Sequence, residues 1–345
     1  MNVHIIGALP GELGGTTILL KQLVDDITCN DEINLEVSDT SDISSLSFFS
    51  KFKFLYTVFK RTRFNDITAV HVSANGSVTI APITLIFCKL FGKRFNFRMF
   101  GGVYDKYYNR SNLVLSTIIK FLLIKSDLVY FETKHLVSYF SKIFPKANIK
   151  HYTNSRPLTT VRTADIKRNN FIFLGAIKES KGVNTILEAS DNLISGHVDF
   201  YGPILEPELR RSIEESNNCY YKGICQHEDI LDTLNGYKCL LLPTKHFGEG
   251  YPGVIIEAYS LGIPVITTDW QSIPEIVDNG ITGFLIPPSD VKELNSKMSE
   301  VIGMDNKKYE MLSSNCTSYF NNNFDSRLLS EIYISDLMGL VGKHD

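Results

Sequence analysis

Two glutamates eight residues apart, Glu249 and Glu257, flank two glycines and a proline in FGEGYPGVIIEAYSLGIPVITTD, Phe247 to Asp269. Glu257 falls inside a helical pattern among Val254, Ile255, Ile256 and Ala258. A carboxylate buried in such company is costly unless it meets hydrogen-bond donors. Ribose hydroxyls are fitting donors for Glu257 and sugar hydroxyls for Glu249; a local cap or ion pair is the plainer role for Glu257. Gly250 and Gly253 keep side chains off the loop, so backbone N–H groups can face a ligand, and Pro252 pre-sets the start of the helix. Gly262 and Pro264 close it.

Two other loops carry matching chemistry. LPGELGGTT places Gly11, Gly14 and Gly15 before a helix, where backbone N–H groups and the helix N-terminus favour an anion. The spacing is not G-x-G-x-x-G, so no dinucleotide is indicated. In FLGAIKESKGV, Lys181 followed by Gly182 suits a cation reaching a phosphate, with a solvated loop lysine as the plainer reading. No D-x-D pair follows a strand-like run, and no His/Cys/Asp cluster has metal-ligand spacing, so neither metal nor cofactor is expected.

These loops need elements to hold them. Eight short apolar runs read as strands: VHIIGA, AVHVSA, FNFRMF and DLVYFE, then FIFLGAI, HVDFYG, CLLLPT and PVITTD. Helical patterns such as Thr16–Ile27 and Leu113–Lys125 lie between them. Strands alternating with helices predict parallel sheets covered on both faces, in an α/β chain of two facing Rossmann-like domains. Ligands of such sheets bind beyond the carboxyl ends of the strands, which is where the three loops fall.

Composition agrees with that division. The 345 residues are 43% hydrophobic and 21% charged, a soluble globular balance. Net charge is −3, yet residues 1–160 hold 19 Lys+Arg against 12 Asp+Glu, whereas residues 161–345 hold 16 against 26. The expected division is an N-terminal domain over 1–155, a linker over 156–168, a second domain over 169–325 and a last helix over 326–345. Six cysteines form no CxxC pair, which suits reduced, buried thiols. MNVHIIGALPG lacks the basic n-region of a signal peptide, and no apolar run reaches the roughly 18–20 residues of a spanning helix. A cytoplasmic location, at the inner face of the membrane, is expected.

The residues Glu249-x7-Glu257 in EGYPGVIIEA, with GIPVITTD, IPEIVDNGITGFLIPPSD and FLGAIKESKGV, resemble glycosyltransferase family 4, the large retaining GT-B family. The resemblance covers nearly the whole second half. In the first half it is looser, resting on Gly14 and Gly15, AVHVSA, SDLVYFETKHL and YTNSRP, and it returns in FDSRLLSEIYISDLMGL, similar to last helices that cross back to the first domain. It implies a nucleotide-sugar donor held mainly by the second domain and a glycan or lipid-linked oligosaccharide acceptor held by the first, in bacterial surface polysaccharide (O-antigen or capsule-type) synthesis. By the same resemblance Glu257 binds the ribose, Glu249 lies near the donor sugar, Lys181 holds the diphosphate, and Gly14 or Gly15 contact phosphates through their backbone. Gly175, Gly250, Tyr251, Pro252 and Gly253 complete the expected donor-binding set; Glu249 and Lys181 are the expected catalytic pair.

Two positions depart from the family pattern. Gly175 is followed by Ala176 where the family usually has arginine, and Phe100 precedes Gly101 where it often has histidine. Lys178, Arg98 and Lys245 are candidates to replace the missing cation, and His71 is a further candidate in the first domain. These departures leave room for a catalytically silent glycan-binding or scaffold relative, and the architecture also suits a sugar-nucleotide epimerase.

Residues 47–64, SFFSKFKFLYTVFKRTRF, place Phe52, Leu55, Tyr56 and Phe59 at helical spacing, with five Lys or Arg and no acidic residue. Basic charge beside aromatics suits an anionic membrane surface, with a helix packed on its own sheet as the alternative. No helix-turn-helix, zinc or RNP pattern accompanies the charge, so nucleic acid is not an expected partner.

Overall fold

The computed structural model describes residues 1–10, 15–43, 45, 47–159 and 169–342. The chain divides into two compact units, one formed by Met1–Ser155 with Ser326–Asp345 and the other by Arg156–Asp325.

The sheet of the first unit has six parallel strands: β1 (Asn2–Gly7), β2 (Asn34–Asp39), β3 (Ile67–Val72), β4 (Arg94–Met99), β5 (Leu128–Phe131) and β6 (Ile149–His151), in the order β2-β1-β3-β4-β5-β6. Strand side chains alternate between faces, and here both faces are buried. Val3 and Ile5 of β1, with Ile67 and Ala69 of β3, pack with Leu20, Leu23 and Ile27 of helix Gly15–Thr28 and with Tyr333, Leu337 and Leu340 of helix Ser326–Val341. Ile6, Val70, Phe95 and Phe97 point the other way, onto Leu85 and Cys88 of helix Ile80–Leu90 and Leu122 and Leu123 of helix Leu113–Lys125.

The second unit repeats the plan. Its strands are β7 (Phe171–Leu174), β8 (Val198–Tyr201), β9 (Cys219–Gly223), β10 (Cys239–Leu242), β11 (Val265–Thr268) and β12 (Gly283–Ile286), all parallel, in the order β12-β11-β10-β7-β8-β9. The first strand of each sheet is flanked on both sides by later ones. Each sheet therefore has a point where the chain reverses its direction of winding, between β1 and β3 and between β7 and β10. Helices diverge there and leave a crevice above the strand ends.

Helix Phe48–Phe64 differs from its expected stripe. Leu55 and Phe59 turn inward around buried Val58, and the Phe59 ring meets Phe87 edge-on at 5.1 Å. Phe52 and Tyr56 instead stay 68% and 62% exposed, beside Phe48 and Phe49. Aromatics occur around more of the helix than the roughly 100° that packing uses, so one set is left outside.

Two glycines test this packing with opposite signs. Gly182 has φ +82°, and a Cβ there would lie 2.1 Å from the Pro243 carbonyl oxygen. Gly339 is helical and exposed, with open space at the Cβ position. Gly182→Ala is expected to lower the urea midpoint, losing about 1–3 kcal/mol, whereas Gly339→Ala raises it by about 0.5–1 kcal/mol.

Candidate active site

The winding reversal of the second sheet gathers the loops after β7 and β10. Beyond β7 the chain passes Gly175 (φ +153°) and a single turn at Glu179–Lys181, then enters helix Val183–Ser190 through Gly182. Beyond β10 come Pro243, Thr244, Lys245 and His246, then Glu249 and helix Gly253–Ser260, with Pro252 at its cap. The close seat of Gly182 on Pro243 brings the two loops together, and Lys245 N–H donates to the Ser180 carbonyl at 2.8 Å.

At the junction the Lys181 ammonium donates to both oxygens of Glu249, at 2.8 and 2.5 Å. The Thr244 hydroxyl lies 2.9 Å from Glu249 Oε2 and accepts from His246 N–H at 3.1 Å. Glu249 is 7% exposed, so its carboxylate is fixed in place rather than free in a loop. His246 stands beside the pair, with Nδ1 3.4 Å from Lys178 Nζ. Burial, with Lys178 and Lys181 nearby, pushes its pKa below the ordinary histidine value. The neutral ring carries a lone pair on Nδ1 for the lysine.

Glu257, one turn into helix Gly253–Ser260, meets Arg156: the Nε–H donates to Oε1 at 2.7 Å, with side-chain exposures of 11% and 7%. A Cβ on Gly253 would fall 2.1 Å from an Arg156 terminal nitrogen, so this glycine lets the guanidinium cross the helix N-terminus. Arg156 is held in turn by its backbone, which donates to the Phe324 carbonyl at 2.9 Å. The costly buried carboxylate thus has its donor within the protein, from a residue 101 positions away.

The expected residues do not all converge. Lys181, Glu249, Lys178 and, one turn on, Glu257 share this end of the second sheet. Tyr251 is buried, its hydroxyl donating to Glu275, and Gly250 and Pro252 complete the loop. Lys245 turns outward to Glu179 at 3.0 Å. Arg98 and His71 belong to the first unit, where Arg98 is buried against the rings of Phe100 and Tyr152, 4.7 and 4.4 Å from their centroids. Gly15 opens helix Gly15–Thr28, while Gly14 lies outside the described residues. Sequence reasoning missed Arg156, Thr244 and His246. TKH directly after an apolar strand was the available signal for the last two.

Chemically, the second unit offers two lysines, a neutral imidazole and two oriented carboxylates around a helix N-terminus. That set suits a phosphorylated ligand bearing hydroxyl groups.

Comparison with known proteins agrees in kind. Residues 168–303 match the family model described as glycosyl transferases group 1. The capsular polysaccharide biosynthesis glycosyltransferase CapM of Staphylococcus aureus is 28% identical over 172 residues, covering 47% of this chain and 44% of that protein. The amylovoran biosynthesis glycosyltransferase AmsK of Erwinia amylovora is 28% identical over 131 residues, 34% of this chain and 32% of its own. The matched stretch thus spans less than half the length of these relatives. Among solved structures, Anabaena HepE in complex with UDP superposes with a TM-score of 0.81 at 14% identity, covering 98% of this chain and 100% of HepE. The fold is therefore GT-B, and the stretch carrying Lys181, Glu249 and Glu257 is similar to group 1 glycosyl transferases.

The buried pair makes a stability prediction. Arg156→Met leaves the Glu257 carboxylate without its charge partner and is expected to cost about 3–5 kcal/mol in urea unfolding. Adding Glu257→Leu is expected to recover most of that loss.

Proposed function

We propose that this protein is a retaining glycosyltransferase that moves a sugar from a nucleotide-sugar donor to a glycan or lipid-linked glycan acceptor in bacterial surface polysaccharide synthesis. The observation that carries the reading is the Lys181–Glu249 pair at the winding reversal of the second sheet, inside the stretch matched to group 1 glycosyl transferases. The capsular and amylovoran roles in the relatives' names support the pathway class, and the UDP bound by HepE supports the donor class.

In this reading the donor phosphates lie against Lys181, Lys178 and the N–H groups of Gly250 and Gly253. Glu257 accepts from the ribose with the oxygen that Arg156 leaves available, and Glu249 accepts from a hydroxyl of the sugar. Reaction breaks the bond from the anomeric carbon to the phosphate oxygen and forms one to the acceptor oxygen on the same face. The acceptor's hydroxyl proton passes to the departing phosphate, so no separate base is required. Lysine charge meets the developing negative charge, and metal is not needed for that role.

An aromatic and basic surface supports a place at the membrane. Phe48, Phe49, Phe52 and Tyr56 are exposed on one helix with Lys51, Lys53 and Lys60. Among the described residues no helix is long and apolar enough to cross a bilayer.

Two experiments test these readings. With an α-linked UDP-, GDP- or ADP-sugar as donor, anomeric-proton NMR is expected to show an α-linked product in the presence of EDTA. Glu249→Gln is expected to lower kcat by about a hundredfold with donor affinity little changed; a β-linked product sinks the mechanism. Separately, the protein is expected to sediment with anionic liposomes and release at high salt. Arg61 of the basic run turns inward, its guanidinium donating to the Val37 carbonyl at 2.7 Å and the Ser38 hydroxyl at 2.8 Å. The exposed Lys53, Lys60 and Arg63 are therefore the cations to replace, and changing these three together to glutamate should abolish that binding.

A further inference from the structure

The register of β10 with β11 ends at Leu242 and Thr267, yet the two chains stay joined beyond it through side chains. Thr267 Oγ1 donates to the Leu242 carbonyl at 2.7 Å, and the Thr268 hydroxyl donates to the Thr244 carbonyl. Trp270 Nε1 then donates to the His246 carbonyl at 2.9 Å, and Gln271 Nε2 to the Phe247 carbonyl at 2.8 Å. Further along the same segment, Glu275 accepts from the Tyr251 hydroxyl. Residues 267–275 therefore hold the loop after β10 on both sides of Glu249.

The bonds from Trp270 and Gln271 fall on the turn that presents this carboxylate. Glu249 N–H donates to the His246 carbonyl at 3.2 Å, closing a turn over residues 246–249, and Trp270 donates to that same oxygen. Phe247 and Gly248 are exposed, so apolar packing does not fix the turn and hydrogen bonds have to. Gln271 makes its bond from an unfavourable backbone. Its φ is +52°, and among the described residues only Ser289 shares a positive φ without being glycine. That conformation is costly for glutamine and readily adopted by glycine, so a loop that had only to turn here would gain from glycine. What glycine lacks is the amide that reaches the Phe247 carbonyl. Trp270, the single tryptophan of the chain, likewise brings an indole N–H that no other apolar side chain carries.

We propose that Trp270 and Gln271 are positioning residues for Glu249: their side-chain N–H groups fix the 246–249 turn, and through it the carboxylate, beside Lys181. The consequence for turnover rests on the transferase reading, in which Glu249 accepts from a hydroxyl of the sugar; the fixing of the turn does not. A reacting group misplaced by about 1 Å loses much of its effect on rate. The lysines assigned to the phosphates stay on the loop after β7, so a loosened turn slows turnover and leaves donor affinity in place.

The test uses whichever UDP-, GDP- or ADP-sugar the native protein turns over. Gln271→Gly removes the amide and relieves the backbone, so the urea midpoint is expected to change little. Its kcat should fall about tenfold, with KM for the donor within about twofold. Trp270→Phe, which keeps a ring and removes the N–H, should lower kcat comparably. In a Glu249→Ala background neither substitution should cost anything further, because both act through a carboxylate no longer there. Independently of activity, ¹⁵N-labelled protein has a single indole N–H signal, expected to exchange slowly with solvent and to exchange faster in Gln271→Gly. An indole N–H that exchanges as fast as free tryptophan, or an undiminished cost in Glu249→Ala, overturns the proposal. Transfer by the native protein with kcat unmoved in Gln271→Gly removes the positioning role alone. No turnover of any donor by the native protein removes the transferase reading and the catalytic consequence with it, while the indole signal still decides whether the turn is held.

Discussion

Both sheets are parallel and buried on both faces, and that constraint decides where chemistry can go. Strand interiors such as Ile5–Ile6 and Phe171–Phe173 face apolar helices above and below, where a polar group without a partner is costly. Reactive side chains are confined to the loops beyond the strand ends, and the winding reversal selects which of those loops open together. Lys181 and Glu249 are 68 residues apart in the chain and hydrogen-bonded because β7 and β10 are adjacent. In the first unit the same geometry places Ala8, Thr40 and His71 around one cavity.

Within the second unit the two glutamates have different settings. Glu249 is held by the Lys181 ammonium and the Thr244 hydroxyl, side chains of the two loops that meet at the winding reversal. Glu257 is fixed by a guanidinium that itself rests on the backbone near Phe324. Both carboxylates are fixed, and the glycine at position 253 makes room for the guanidinium that holds the second.

The eight strands legible in the sequence are the interior ones. The four that passed unnoticed, β2, β6, β9 and β12, are the outer strands of the two sheets. An outer strand packs less completely: β6 is largely exposed, and β9 alternates buried Cys219 with exposed Tyr220. Continuous apolar runs, the signal for a doubly covered strand, are therefore missing from β2, β6 and β9, while β12, with GFLI mostly buried, is the exception. Lys181 and Glu249 were legible from the loops that follow the apolar runs of β7 and β10, whereas Thr244 and His246, in the second of those loops, were passed over. Arg156 was not legible, because its partner lies 101 residues away and nothing local marks an arginine for a buried carboxylate. The contact of His71 with Tyr333 was equally invisible, for the two lie 262 positions apart along the chain.

The second unit is one uninterrupted stretch of chain, inserted between Ser155 and Ser326 of the first. Its first and last residues, Arg156 and Asp325, pair as a parallel β-bridge. On the ribosome this imposes a schedule. The inserted stretch can collect all its own contacts as soon as Asp325 has emerged, whereas the earlier-made sheet must wait for Ser326–Val341 to cover Val3, Ile5 and Tyr130. Until then that face of the sheet is covered only in part, by helix Gly15–Thr28, and the remainder is a sticky surface that newly made chains must protect from neighbours. Because the insert's ends meet, a homologous insert could be exchanged without moving the flanking chain, which makes the second unit a natural currency of recombination.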